Sequence, residues 1–140
     1  MLKRVLLIMA LSVSCISVFG QGSSLKSYQW SAVDSSGKRF TEREFWNRTA
    51  PWEKDVIKTV KPEYPFEERR RKHAGFGLFR MEIDLKTGSV RHVTVVKSTG
   101  YNRLDEAAKN ASAGWRFQPN SWREVNLPVN FVLPSQVGYR

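Results

Sequence analysis

Apolar and polar residues alternate in the second half of the chain, a pattern typical of β-strands with one buried face. The first alternating stretch has its apolar positions at Phe79, Met81, Ile83 and Leu85. A turn at Lys86–Gly88 separates this stretch from the β-rich run Val90–Val96. Together the two stretches predict a β-hairpin.

A further alternating stretch near the C-terminus predicts one more strand. Its apolar positions are Val125, Leu127, Val129, Phe131 and Leu133. Pro128 lies between them and has no backbone N–H, so it removes one donor from any ladder of hydrogen bonds. The pattern therefore predicts an amphipathic strand at the edge of a sheet.

Two helices are predicted beside these strands. The longer one begins after Asn102, which is a good cap residue, and Gly114 with Pro119 marks where it stops. Five residues with helical spacing share one face of it: Leu104, Ala107, Ala108, Ala111 and Trp115. We therefore expect Trp115 in the core. The shorter helix extends from about Pro65 to His73, with Pro65 as its first residue.

The predicted element order is helix, strand, strand, helix, strand over about 75 residues. This order indicates an α+β fold in which a small antiparallel three-stranded sheet carries two helices on one face. We expect this domain at residues 61–134 and a C-terminal tail at 135–140.

The N-terminus has the layout of a signal peptide. Two basic residues precede the uncharged, mostly apolar run Val5–Phe19, which is shorter than the about 20 residues that cross a bilayer as a straight helix. We predict that residues 1–20 are cleaved as a signal peptide and that a periplasmic chain begins at Gln21. The alternative is an uncleaved inner-membrane anchor formed by residues 5–19 and facing the periplasm.

Removal of residues 1–20 has two consequences for the exported chain. The net charge falls only from +10 to +8, because Lys3 and Arg4 are lost together with no acidic residue. Cys15 is the only cysteine and is lost as well, so no internal disulfide can form. The exported chain is therefore basic and must be stabilised by packing.

Residues 21–60 predict an N-terminal extension that is partly ordered. Its large aromatic residues favour packing on the following domain: Trp30, Phe40, Phe45, Trp46 and Trp52. The turn-forming run Asp34–Gly37 lies between Tyr28–Trp30 and Arg39–Phe40 and allows a hairpin there. Thr41 and Glu44 have the spacing of a capping box, which indicates a short helix through Trp46. A loosely ordered tether is the alternative.

The residue types needed for catalysis or metal binding do not occur at suitable spacing. His73 and His92 lie 19 residues apart, with no cysteine or acidic partner at ligand spacing. Ser98 lies in a loop with no identifiable activating base. No glycine-rich phosphate loop follows a strand. We therefore expect no enzymatic activity, no metal site and no cofactor.

The predicted first helix ends in a basic cluster formed by Arg69, Arg70, Arg71 and Lys72. Such a cluster can neutralise nucleic-acid phosphates. Export separates the protein from that partner, so we expect no nucleic-acid binding. A solvated helix end is the simplest interpretation, and attraction to anionic lipid headgroups or to acidic transporter segments is the alternative.

Several short motifs in a fixed order together resemble the C-terminal domain of the TonB family. They are Pro62-x-Tyr64-Pro65, Gly77, Ile83-Asp84 before Gly88, Val95-Val96, Ser98-Thr99-Gly100, Leu104-Asp105 with Ala107-Ala108, and Trp115-Arg116-Phe117-x-Pro119. The resemblance covers about Lys61 to Leu133. It is specific because the motifs occur together and in order.

The resemblance implies a role in energy-coupled transport. Family members transmit energy from an inner-membrane, proton-driven complex of the ExbB/ExbD type to outer-membrane TonB-dependent transporters. They do so by adding a strand of the transporter's plug domain to their own sheet. The resemblance implies contact residues in two segments: Lys61, Pro62, Tyr64 and Pro65 in the first, and Val125, Asn126, Leu127, Pro128, Val129, Asn130 and Phe131 in the second.

The chain also departs from the family pattern. Glu68 stands where the family often has alanine, and Lys61 replaces a residue that is commonly polar and uncharged. Only Pro51 interrupts residues 21–60, whereas energy-transducing members have a long proline-rich spacer. The alternative function is therefore a soluble envelope adaptor that binds other proteins or anionic lipid without transducing energy. Both a monomer and a strand-exchanged homodimer remain open.

Overall fold

A computed structural model describes residues 31–41 and 50–134. Four predicted segments lie outside the described residues, namely the signal peptide at 1–20, the hairpin arm Tyr28–Trp30, the short helix after Thr41 and the tail at 135–140. Within the described residues, no helix is long and apolar enough to cross a membrane.

The described residues form seven strands, two α-helices and one 3₁₀ turn. In chain order these are β1 (Ala32–Asp34), β2 (Arg39–Phe40), the 3₁₀ turn (Glu53–Asp55), β3 (Val56–Lys58), α1 (Phe66–Arg70), β4 (Gly75–Ile83), β5 (Val90–Lys97), α2 (Asn102–Ala113), β6 (Arg116–Phe117) and β7 (Trp122–Phe131). The predicted α+β class with an antiparallel sheet and two helices is confirmed.

The main sheet has five strands in the order β2-β1-β7-β4-β5, each antiparallel to its neighbours. The prediction of three strands is wrong in number, because the N-terminal extension adds β1 and β2. Their hairpin closes around Asp34, whose carboxylate accepts hydrogen bonds from the N–H groups of Ser36 and Lys38, both at 2.9 Å. Gly37 completes this turn with a φ of +90°, a conformation that favours glycine.

A second, two-stranded sheet is formed by β3 and β6. The turn of the β4–β5 hairpin packs against it, since Ser89 bridges to Arg116. Gly88 has a φ of +73°, and a Cβ at this position would lie 1.8 Å from the carbonyl oxygen of Phe117. Only glycine therefore fits this contact without a shift of the backbone.

The core lies between α2 and one face of the main sheet. Alternate residues of β4 and β7 point into it, including Phe79, Met81, Val125 and Leu127. Leu104 and Ala108 of α2 are fully buried against these side chains, and the small alanine lets the helix approach closely. Trp115, expected in the core, follows α2 and is only partly buried. Its indole N–H donates to the carbonyl of Val60 at 3.0 Å.

The two helices begin at slightly different residues from those predicted. Pro65 is the N-cap of α1, which ends at Arg70 and not near His73. Lys72 has a φ of +58° and turns the chain toward β4, which explains the shorter helix. α2 includes Asn102, so the predicted cap is the first helical residue and Tyr101 takes the cap position.

Candidate protein-binding site

β7 carries the second predicted contact segment, and its two halves have different neighbours. β4 pairs with β7 as far as Phe131. On the other side, β1 pairs only with Trp122–Val125, and the N–H of Asn126 donates to the carbonyl of Ser31 at 2.8 Å. No described strand lies beside Leu127–Phe131 on that side. We call Leu127–Phe131 the open half of β7, and Trp122–Asn126 the covered half.

The hydrogen bond of Asn126 fixes the orientation of the backbone groups along β7. Successive residues of a strand direct their N–H and C=O groups to opposite sides. Even-numbered residues therefore face the β1 side, and odd-numbered residues face β4. The missing N–H of Pro128 is on the open side, so the ladder with β4 is intact. The outward groups of the open half are the C=O of Pro128 and the N–H and C=O of Asn130.

Among the described strands, the edge predicted for β7 is thus found in only one half. The covered half is central in the sheet, because β1 comes from the N-terminal extension. Val125 and Asn126, which were expected at the contact surface, lie in the covered half and are 0% and 1% exposed. Leu127, Val129 and Phe131 of the open half point into the core, while the side chain of Asn130 is exposed.

Tyr64 connects the first predicted contact segment to the open half. Its ring packs edge-on against Phe131, with ring centroids 5.3 Å apart. Its hydroxyl donates to the carbonyl of His73 at 2.5 Å, and burial raises the pKa of this phenol. Tyr64 therefore holds the end of β7, the start of α1 and the turn before β4 together.

Lys61 and Pro65 face a different neighbour. They line an open groove of about 670 Å³ between residues 60–65 and α2, which contributes Arg103 and Glu106. Lys61 is exposed and Pro62 is half-buried. The structure thus joins the two predicted contact segments at Tyr64, while Lys61 and Pro65 lie beside α2.

The contacts of Glu68 account for one departure from the family pattern, in which this position is often alanine. Its side chain points inward from α1 and is only 4% exposed. A carboxylate oxygen lies 2.7 Å from Nδ1 of His73, and the His73 ring stacks on Tyr101 with centroids 4.0 Å apart. Arg103 of α2 approaches the other carboxylate oxygen at 4.0 Å. This cluster ties α1 to the start of α2, and the sequence analysis missed it.

Asp105 explains why the Ser98-Thr99-Gly100 and Leu104-Asp105 motifs occur together. Its carboxylate accepts hydrogen bonds from the Ser98 hydroxyl at 2.6 Å, the Thr99 N–H at 2.8 Å and the Thr99 hydroxyl at 2.7 Å. Burial acts to raise the pKa of Asp105, but these hydrogen bonds outweigh it and hold the pKa below its usual value. The loop before α2 is thereby fixed to the helix.

The covered half of β7 carries a polar cluster on the sheet face opposite α2. Glu124 lies 3.6 Å from the guanidinium of Arg39 and 3.4 Å from that of Arg80. Arg80 also donates to the side-chain carbonyl of Asn126 at 3.2 Å, and Arg39 donates to the Ser31 hydroxyl at 2.9 Å. These contacts connect β2, β1, β7 and β4 across the sheet.

The predicted basic cluster of Arg69, Arg70, Arg71 and Lys72 is exposed in and after α1. Arg70 pairs with Glu67 at 3.2 Å, and Arg69 lies over the ring of Phe66, 5.8 Å from its centroid. Within residues 31–41 and 50–134, no three histidine, cysteine, aspartate or glutamate side chains are grouped so as to hold a metal ion. Among the described residues, the C=O of Pro128 and the N–H and C=O of Asn130 therefore face away from β4 with no strand beside them.

Comparison with known proteins connects this geometry to a family. Residues 60–133 match the family described as Gram-negative bacterial TonB protein C-terminal. Protein TonB of Neisseria gonorrhoeae is 37% identical over 73 residues, which cover 52% of this chain and 25% of that protein. Protein TonB of Neisseria meningitidis serogroup C is 48% identical over 46 residues, covering 33% and 16%. Protein tonB2 of Pseudomonas aeruginosa is 36% identical over 80 residues, covering 51% and 28%.

The matched residues include the Tyr64–Pro65 segment, the β4–β5 hairpin, α2 and all of β7. β1, which pairs with one half of β7, and β2, which pairs with β1, lie outside the match. The chain spans between 16% and 28% of the length of these relatives. The resemblance predicted from the motifs is confirmed, and the chain belongs to the TonB C-terminal family.

Proposed function

We propose that this chain is a TonB-like binding module of the cell envelope that acts in energy-coupled transport across the outer membrane. In this proposal, the open half of β7 captures an extended segment of a transporter by strand addition. The partner is the plug domain of an outer-membrane TonB-dependent transporter. The observation that carries the proposal is the outward backbone of Pro128 and Asn130, on a strand that β4 holds in place.

The rigidity of the open half supports strand addition. β4 pairs with each of its residues, and Leu127, Val129 and Phe131 are buried in the core. The edge is therefore ordered before a partner arrives, which reduces the entropy lost on binding. Main-chain hydrogen bonds to Asn130 would provide affinity with little dependence on the partner's sequence.

The surface around Tyr64 supports a second contact with the same partner. Tyr64 packs on Phe131, where the open half ends. Lys61, Pro62 and Pro65 belong to the same segment, and the groove beside α2 is next to it. We assign these residues to the part of a captured segment that continues beyond the added strand.

We place the module in the periplasm, exported by the signal peptide at residues 1–20. Retention of residues 5–19 as an inner-membrane anchor would instead allow contact with an ExbB/ExbD-type complex. We assign the module no enzymatic activity. Determination of the mature N-terminus by intact-mass analysis separates the two forms, since only the anchored form retains Met1.

The substitution Asn130→Pro tests strand addition, because it removes the one outward N–H of the open half. Loss of a buried hydrogen-bond partner costs about 1–3 kcal/mol, so affinity for a plug-domain peptide should fall about 5- to 150-fold. Titration calorimetry with the full chain measures this change. Asn130→Ala is the matched control, because it removes the same side chain and keeps the N–H, and it should bind like the parent.

Circular dichroism and thermal unfolding show whether each variant keeps the fold. A folded Asn130→Pro variant that binds the peptide as tightly as the parent rules out strand addition at this edge. If Asn130→Ala loses as much affinity as Asn130→Pro, recognition depends on the asparagine side chain and not on the backbone.

A further inference from the structure

Most of the exposed large hydrophobic side chains lie at one end of the main sheet. Phe66 is 63% exposed, and Val96 and Val132 are each 38% exposed. Among the described residues, Ile57 is the one exposed side chain of this kind that lies elsewhere. Three of the four exposed large hydrophobic side chains among the described residues therefore share one end of the sheet.

The strand register shows that the three residues share one end of the sheet. Gly75 pairs with Phe131, and Leu78 pairs with Lys97, so the start of β4 lies beside the ends of β5 and β7. Four residues separate α1 from β4, and four residues separate β5 from α2. We call the surface formed by α1, the start of α2 and the ends of β5 and β7 the α1 end.

The α1 end is also strongly basic. Six exposed cationic side chains belong to it: Arg69, Arg70, Arg71, Lys72, Lys97 and Arg103. Two carboxylates of α1 are already engaged, since Glu67 pairs with Arg70 and Glu68 is buried beside His73. None of the described carboxylates forms an ion pair with Arg71 or Lys72. Glu63 and Glu106 lie beside this surface as well, but the six exposed cations outnumber the carboxylates around Phe66.

We infer that the α1 end is a docking surface for an anionic lipid bilayer. Guanidinium and ammonium groups are attracted to anionic headgroups, and an exposed aromatic ring among them can enter the headgroup region. Phe66, Val96 and Val132 stand singly on three different elements. A deformable lipid surface accommodates such separate side chains without a preformed pocket. This function goes beyond strand addition, because it uses none of the outward backbone groups of β7.

Co-sedimentation of the full chain with lipid vesicles tests the inference. One set of vesicles contains phosphatidylcholine alone, and the other contains phosphatidylcholine and phosphatidylglycerol in equal parts. The readout is the ratio of the two partition coefficients, because binding through the apolar run at residues 5–19 contributes to both. We expect the parent to prefer the anionic vesicles, and the preference to weaken as salt is added.

Charge reversal at the α1 end should abolish most of this preference. Each cation near an anionic surface contributes about fivefold in affinity, so the double substitution Arg70→Glu and Arg71→Glu should lower the ratio about 25-fold or more. The double substitution Lys86→Glu and Arg91→Glu is the matched control. It changes the net charge equally at the opposite end of the β4–β5 hairpin, and it should have a much smaller effect.

Phe66→Ala tests the apolar contact separately and should weaken binding to anionic vesicles about threefold or more. Its salt dependence should equal that of the parent. If circular dichroism shows that a charge-reversal variant does not fold, Phe66→Ala and the salt dependence of the parent still test whether the α1 end binds anionic lipid.

Equal binding of the parent to both kinds of vesicle overturns the inference, and so does an equal loss in the two charge-reversal variants. A third outcome also overturns it. If the parent shows no lipid preference but Arg70→Glu with Arg71→Glu weakens binding to the plug-domain peptide, the basic cluster recognises an acidic protein segment. Strand addition is unaffected by any of these results, because Asn130→Pro tests it independently.

Discussion

The two halves of β7 share the same neighbour, β4, and the same core, but among the described strands only one half has a neighbour on its other side. In the covered half, β1 pairs with Trp122–Val125, and Glu124 is enclosed by two guanidinium groups. In the open half, backbone groups of Pro128 and Asn130 face outward. Within the described residues, a single strand is therefore paired on both sides over one part of its length and on one side over the other.

The origin of the neighbouring strands explains this difference. β4 and β7 lie inside the region that matches the TonB family, whereas β1 and β2 precede it. The N-terminal hairpin thus adds two strands to the family domain and shortens the part of the β7 edge that has no described neighbour. The following three predictions test whether the two halves are energetically separate, from the largest expected effect to the smallest.

Trp122→Ala should cause the largest loss, because it removes the main anchor of the covered half. Trp122 is 4% exposed, packs edge-on against Phe40 at 5.3 Å and donates its indole N–H to Asp55 at 2.9 Å. Truncation of a buried tryptophan costs about 3–5 kcal/mol of unfolding free energy. Urea unfolding measures the loss.

Trp122→Phe is the control for this experiment. It keeps most of the apolar contact and removes only the hydrogen bond to Asp55, so it should cost about 1 kcal/mol. If Trp122→Ala and Trp122→Phe unfold at the same urea concentration, ring packing does not anchor the N-terminal hairpin.

Asp105→Asn should have an intermediate effect and should act at the open end of the sheet. Asp105 accepts a hydrogen bond from the N–H of Thr99. The carbonyl oxygen of Thr99 lies so close to Gly75 that a Cβ at Gly75 would be 2.2 Å from it. Gly75 in turn pairs with Phe131 at the end of the open half. Loss of the carboxylate should cost about 1–3 kcal/mol at neutral pH, since hydrogen bonds to a charged group are stronger than neutral ones.

The pH dependence of the Asp105→Asn effect follows from the lowered pKa of Asp105. Because the pKa of Asp105 is lowered in the folded state, its ionised carboxylate stabilises the protein fully above the unfolded-state pKa of about 3.9. This stabilisation is lost as the pH falls through the folded-state pKa. The stability difference between parent and variant should therefore be constant above about pH 5 and narrow below pH 4. A constant difference down to pH 2 would contradict this account.

Arg39→Ala should have the smallest effect. Its guanidinium is 3.6 Å from Glu124, but the side chain is 55% exposed, and such pairs contribute about 0.2–1 kcal/mol. Affinity for the plug-domain peptide should equal that of the parent, and Arg39→Lys should equal the parent in both stability and affinity. A change in peptide affinity on Arg39→Ala would show that the covered half influences the open half.

The predictable part of the fold is the part with long periodic patterns. Period-two alternation predicted β4 and β7, and helical spacing of small residues predicted α2. The motifs that identified the family also have a common physical basis, because Asp105 bonds directly to Ser98 and Thr99. Such local contacts leave a recognisable order of residues in the sequence.

The parts of the fold that no sequence pattern predicted depend on contacts between residues far apart in the chain. β1 has three residues and no alternation, so its pairing with β7 across about 90 positions leaves no pattern in the sequence. Glu68 and Lys72 have the spacing of a surface ion pair. In the structure, Lys72 adopts a positive φ and ends the helix, and Glu68 turns inward to His73. The sequence therefore predicted the helix but not the buried cluster.

Pro128 also has a consequence for self-association. Exposed strand edges are templates for aggregation, because each outward N–H and C=O can pair with another copy of the chain. Proline at an edge position removes a donor and thereby weakens such a template. Between Leu127 and Phe131, Asn130 has an outward N–H and Pro128 has none, so this edge has one outward donor in place of two. A partner strand with side chains complementary to this surface can compensate for the missing bond, whereas random edge-to-edge contacts between copies cannot.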